Sequence, residues 1–87
     1  MNEFERLAKK LGDLNLIRTS RKPIYSCYRQ GITYYLRYNG YSVKEIALWQ
    51  RKNLNVIYSQ ISTFEKLLSV KDKLAVEVLN KIREVDS

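Results

Sequence analysis

The chain has 87 residues, 45% apolar and 29% charged, with 16 lysines and arginines against 9 aspartates and glutamates, a formal charge of +7. That length suits one domain with a modest core and excludes a second lobe or deep substrate cleft, and the composition excludes a disordered tail. Histidine is absent and cysteine occurs once, at Cys27, which removes the commonest general base, the commonest metal ligand and any internal disulfide.

In chain order, Asn2 and Glu5 have the spacing of a capping box, and Phe4, Leu7, Ala8 and Leu11 then share one helical face until Gly12. Leu14, Leu16 and Ile17 form a short ambiguous segment that reads as one helical turn or none, and Arg18 to Lys22 reads as an exposed basic loop. Pro23 suits the first turn of a helix running to about Tyr38, burying Ile24, Tyr28, Ile32, Tyr35 and Leu36. Asn39-Gly40 ends it. Ser42 and Glu45 make a second capping box, with Tyr41 and Ile46 at the positions of a hydrophobic staple, for a helix of about Val43 to Gln50. Arg51-Lys52-Asn53 is a turn, and Asn53 or Asn55 caps a helix that turns Ile57, Ile61, Phe64 and Leu68 inward. Ser69 and Asp72 open a last helix with Leu74, Ala75, Val78, Ile82 and Val85 on its buried stripe. The expected fold is all-α, a bundle of about five helices in a single domain spanning 1–87.

The positive charge is concentrated. Met1 to Asp13 carries three basic and three acidic residues, and Glu65 to Ser87 carries five of each. Leu14 to Phe64 carries eight basic residues against Glu45 alone, so the middle holds the whole excess. A positive middle between neutral flanks is a footprint for a polyanion. The bland alternative is a solvated basic surface.

That charge coincides with NGYSVKEIALWQRKNLNVIYSQI, two short helices joined by a basic turn. In a helix-turn-helix the first helix braces the second, whose N-terminal residues enter the major groove of DNA. Ala47 supplies the small residue at the crossing and Ile57 the buried aliphatic. The outer face of the second helix, about 54–68, then carries Asn55, Tyr58, Ser59 and Ser62; asparagine pairs bidentately with adenine. Arg51, Lys52 and Lys44 suit phosphates, as do the N–H groups after Ser42. The competing reading is a basic helical hairpin in which Asn53 or Asn55 only caps; the glycine common in such turns is missing. The six tyrosines between Tyr25 and Tyr41 pose a separate choice, because aromatics among basic residues stack on bases of single strands. Helical and staple spacing assigns Tyr28, Tyr35 and Tyr41 to the core and leaves Tyr25 and Tyr34 open. Trp49 packs behind the bracing helix and Cys27 is a small buried residue.

The run LIRTSRKPIYSCYRQGITYYLRYNGYSVKEIALWQRKNLNVIYSQISTFEKLL resembles the C-terminal DNA-binding domain of the bacterial replication initiator DnaA. Arg29-Gln30 match the arginine-glutamine pair near the start of that family's long helix. Ser42-Val-Lys-Glu-Ile46 stands for S-L-P-E-I, and Lys52-Asn-Leu-Asn-Val56-Ile57 stands for R-D-H-T-T-V. The likeness runs from about Phe4 to Val85. It implies double-stranded DNA binding, with the second hairpin helix in the major groove and the basic loop, here Arg21 and Lys22, at phosphates or an adjacent minor groove. Asn53, Leu54 and Asn55 replace aspartate, histidine and threonine, so the docking mode carries over and the family's DNA box does not. The motor domain that precedes this module in full initiators is missing from the sequence.

The expectation is a small regulator of replication or transcription, phage- or plasmid-borne, that binds DNA and is not an enzyme. With no glycine-rich phosphate loop and no metal-ligand set, no cofactor or metal is expected. The competing class is a protein-interaction module that keeps the fold and engages a host replication or transcription protein; exposed Leu54 and Tyr58 motivate it. A homodimer through the first or last helix is compatible with the sequence, but no long heptad pattern demands one. No secretory signal or membrane-spanning run appears, which points to the cytoplasm.

Overall fold

Helix starts in this chain follow side chains that accept the free N–H groups of a first turn. Asn2 Oδ1 accepts from Glu5 N at 2.8 Å, Asp13 Oδ1 from Asn15 N at 2.8 Å, and Ser42 Oγ from Glu45 N at 3.1 Å. Asn53 Oδ1 accepts from Val56 N and Asp72 Oδ2 from Ala75 N, both at 3.0 Å. Each such cap is worth about 1 kcal/mol. The computed structural model describes Met1–Ser87 and accordingly shows α1 (Glu3–Leu11), α2 (Leu14–Thr19), α3 (Pro23–Tyr38), α4 (Val43–Gln50), α5 (Leu54–Ser69) and α6 (Lys73–Asp86), with no strand. Only α3 starts without a side-chain cap, on Pro23.

The all-helical expectation holds, with one helix more than the pattern suggested. The addition is α2, where the sequence was ambiguous. Asp13 caps its start and Ile17 is fully buried. Its last carbonyls are taken by Arg29 of α3, whose Nη1 donates to Ile17 O at 2.7 Å. Six residues are too few to hold a helix by propensity alone, so these tertiary bonds sustain it.

The hub is α3, which packs against every other helix. Phe4, Leu7 and Ala8 of α1, Ile32 and Leu36 of α3, Ile46 of α4, Ile57 and Phe64 of α5, and Val78 and Ile82 of α6 fill the core. Gly31 lets α6 approach: a β-carbon there would lie 2.8 Å from Val78 Cγ1. Cys27 is buried, and burial, helped by the Asp72 carboxylate, pushes its thiol up to about 11. The chain ends are tied together. Arg6 Nη2 lies 2.6 Å from both Glu3 Oε2 and Asp86 Oδ1, and the Tyr35 hydroxyl donates to Asp86 Oδ2 at 2.6 Å.

Three local expectations are corrected. Ile24 is 37% exposed rather than buried, because in the first turn of α3 it is the next residue, Tyr25, that packs against the core. Arg18 belongs to α2 and not to a loop: its Nη2 donates to Trp49 O at 3.1 Å and lies 3.3 Å from Glu5 Oε2. Ser69 ends α5, its hydroxyl donating to Lys66 O at 2.8 Å, so Asp72 alone caps α6. No helix is long and apolar enough to cross a membrane.

Candidate nucleic-acid interface

The α4–α5 pair turns within three residues, Arg51 to Asn53. The turn needs a left-handed residue after α4, and Arg51 supplies it at φ 58° in place of the usual glycine. Its N–H and that of Lys52 return to carbonyls of α4, Lys52 N donating to Ala47 O at 3.0 Å. Asn53 then caps α5, so of the two asparagines Asn55 is the one left free.

The seat of α5 is partly polar, which the apolar pattern did not reveal. Gln60 Nε2 donates to Gln50 Oε1 at 3.1 Å, and Gln50 Nε2 donates back to Gln60 Oε1 at 3.2 Å. Thr33 of α3 closes the set, its hydroxyl 2.6 Å from Gln60 Oε1 and accepting from Gln50 Nε2. All three side chains are buried. A reciprocal amide pair is satisfied at one register and one angle only, so it fixes α5 on α4 and α3 more narrowly than aliphatic packing does.

Beside this seat lies a concavity of about 680 Å³ between the α2–α3 corner and α5. Arg18, Arg21, Arg29 and Lys52 line it together with Asn53, Asn55, Ser59 and Thr63, and no carboxylate does. The four cations are not equivalent. Arg18 is engaged by Glu5 and the end of α4. Arg29 spends its guanidinium on the carbonyls of Ile17, Arg18 and Ser20 and on Ser26 Oγ. Its burial lowers its pKa from the usual arginine value, although an arginine stays charged. Arg29 thereby holds the corner that presents Arg21. Arg21 and Lys52 are exposed and make no ion pair. Those two remain available to an anion.

No family model, curated protein or solved structure matches the chain.

Of the residues singled out from the sequence, Arg21, Lys52, Asn53, Asn55 and Ser59 meet in this concavity. At 100° per residue, Asn55, Tyr58, Ser59 and Ser62 fall within an arc of about 100° on α5, and all four are exposed. Lys22, Lys44 and Arg51 are exposed but do not line the concavity. Ser42 lies outside the concavity, its hydroxyl donating to Glu45 Oε1 at 3.1 Å in the capping box of α4. Tyr58 turns to the opposite flank of α5. Tyr25 and Tyr34, left open by the sequence, pack against the core. Gln30, named from the sequence only within the Arg29-Gln30 pair, and Thr63 also line the concavity without having been candidate contacts. One helical step of four residues beyond Ser59 points to Thr63, whereas nothing local points to Gln30.

Proposed function

We propose that the chain is a sequence-selective double-stranded DNA binder in which α4 braces α5 and α5 enters the major groove as in a helix-turn-helix. The observation that carries this reading is the carboxylate-free cationic concavity running alongside the exposed polar front of α5. A helix of ~10–12 Å diameter fits a major groove ~12 Å wide. Asn55, Ser59 and Ser62 then meet base edges, while Arg21 and Lys52 take the phosphates of the strand beside α5, with Lys22, Lys44 and Arg51 farther along the backbone. The resemblance to the DnaA C-terminal domain supports the same docking and a role as a small regulator of replication or transcription.

Selection from a random duplex library at moderate salt tests the proposal. Enrichment of a common motif is the expected result, with log K falling against log salt by about 0.9 for each phosphate contacted. No enrichment, together with no duplex retained at low salt, overturns it. A second reading, a protein-interaction module, is favoured by one observation: Leu48 is 78% and Leu54 45% exposed on the same helix pair. Under that reading, Leu48→Ser and Leu54→Ser abolish association with a replication or transcription protein, and neutralising Arg21 and Lys52 does not.

A further inference from the structure

On the flank of α5 away from the cationic concavity, Arg37 and Tyr38 at the end of α3 and Val43 of α4 border a second groove of about 530 Å³ with Tyr58, Ile61 and Glu65. Tyr38 is 65% exposed and Tyr58 58% exposed, so neither ring serves chiefly as core. Tyr38 is nevertheless held. Its ring centroid lies 4.6 Å from that of Tyr34, which lies 5.3 Å from that of the buried Phe64. The Tyr38 hydroxyl donates to Glu65 Oε1 at 3.1 Å. The ring is therefore supported by Tyr34 and tethered at its tip, with most of its surface open. An aromatic whose rotamer is fixed beforehand loses little entropy when a flat group settles on it. Arg37, beside it, pairs with no carboxylate, and the surplus charge of +7 favours polyanions over neutral ligands.

We propose that this groove is a second nucleic-acid site, stacking an unpaired nucleobase of a single strand on Tyr38, with Tyr58 as the neighbouring ring. Bases of an intact duplex present no free face to such a shelf, so the ligand is a single strand or an unpaired base. Aromatic platforms on basic proteins recognise single strands in this sequence-tolerant way. The site lies apart from the cationic concavity and stands whether or not α5 reads a duplex.

The test compares a labelled thymidine oligonucleotide of about ten nucleotides with an abasic strand of the same length at low salt. Both offer phosphates, and only one offers bases. The intact protein is expected to prefer the base-bearing strand about tenfold, the ratio that ~1.4 kcal/mol of stacking gives. Tyr38→Ala is expected to erase the preference and Tyr38→Phe to keep it, since the ring is retained. Unchanged helical circular dichroism in both variants separates loss of the site from loss of the fold. Lys52→Ala is expected to weaken duplex binding and leave the base-to-abasic ratio alone, so failure of the duplex reading and failure of this site give different results. Equal affinity for the two strands overturns the proposal. So does a preference that survives Tyr38→Ala combined with Tyr58→Ala, or a concentration-dependent dimer that Tyr38→Ala dissociates without altering the ratio.

Discussion

Arg51 and Lys71 hold left-handed backbone, at φ 58° and 56°, where an L side chain costs about 1–2 kcal/mol relative to glycine. Lys71→Gly, in the α5–α6 connection, is expected to stabilise by about 1 kcal/mol, which raises the melting temperature ~4–8 °C in a domain of this size. Duplex affinity should not change. Arg51→Gly is expected to stabilise similarly, yet to weaken binding to every duplex and reduce the salt slope by about 1. An unaltered slope would remove Arg51 from the phosphate contacts. Lys52→Ala and Asn55→Ala separate positioning from reading. The first should weaken all sequences alike, and the second should cost about 1–3 kcal/mol of discrimination at one base position. Retained preference in Asn55→Ala excludes that residue as a reader. Gly31 is constrained differently, by Val78 Cγ1, Ile82 Cδ1 and Phe64 Cε1 around its missing β-carbon. Alanine there gains about 1 kcal/mol in helix propensity. It also forces the stiff Val78 and its neighbours to move, at ~1–3 kcal/mol. Net destabilisation by thermal melting is expected.

Among the elements, α5 is where stability and presentation meet, because its seat includes the Thr33–Gln50–Gln60 set. Gln60→Leu strands Gln50 Oε1 in a closed interior, at about 1–3 kcal/mol, while Gln50 Nε2 keeps Thr33 Oγ1 and the Thr33 hydroxyl keeps Arg29 O. Denaturant titration should show a lower midpoint at constant slope. The triple replacement Thr33→Val, Gln50→Leu, Gln60→Leu removes every stranded group and is expected to lose less than the single variant. A triple variant as weak as the sum of its parts would mean that no coupled network exists. The sequence made most elements legible because their starts are locally encoded: the capping boxes at Asn2 and Ser42, Pro23, Asn53 and Asp72 each sit beside an apolar stripe of helical period. It left α2 ambiguous, since the last carbonyls of that helix depend on Arg29, twelve residues beyond Ile17. It was silent on the glutamine pair, since a polar residue on a helix face reads as exposed until its partner is known. Four of the five proposed contacts that meet in the concavity, Lys52, Asn53, Asn55 and Ser59, were legible from pattern because they follow α5 and its cap, whereas Arg21 at the α2–α3 corner came from the resemblance. Ser42 was legible as a cap because its partner Glu45 lies only three residues on.

At the scale of the whole molecule, the charge divides into a positive middle, six of whose eight cations are exposed, and neutral ends that bind each other. Arg6 of α1 bridges Glu3 and Asp86, and Asp86 accepts from Tyr35 of α3, so the first helix, the last helix and the hub close on one cluster. The Tyr35 hydroxyl and then Arg6 hold the Asp86 carboxyl below the usual carboxylate range, and Arg6 does the same for Glu3. Because both folded values lie under the unfolded ones, their contribution is complete above pH ~4–5 and is lost as pH falls through the folded values. Tyr35 behaves in the opposite sense. Its bond to Asp86 raises its pKa, so its contribution is complete below pH ~10 and disappears as pH rises through the folded value. These side chains are roughly a fifth to a third exposed, and solvent screening reduces the cluster to about 1–2 kcal/mol in all. Melting temperature against pH should therefore show an acid shoulder and an alkaline one around a flat centre. Asp86→Asn is expected to flatten both shoulders, leaving on the acid side the smaller share from Glu3, while Tyr35→Phe removes the alkaline shoulder and weakens the acid one, which Arg6 still supports. If Asp86→Asn leaves the acid shoulder untouched, acid unfolding begins at some other carboxylate, and the two ends of the chain are held by apolar packing and the bond from Lys10 Nζ to Val85 O rather than by Asp86.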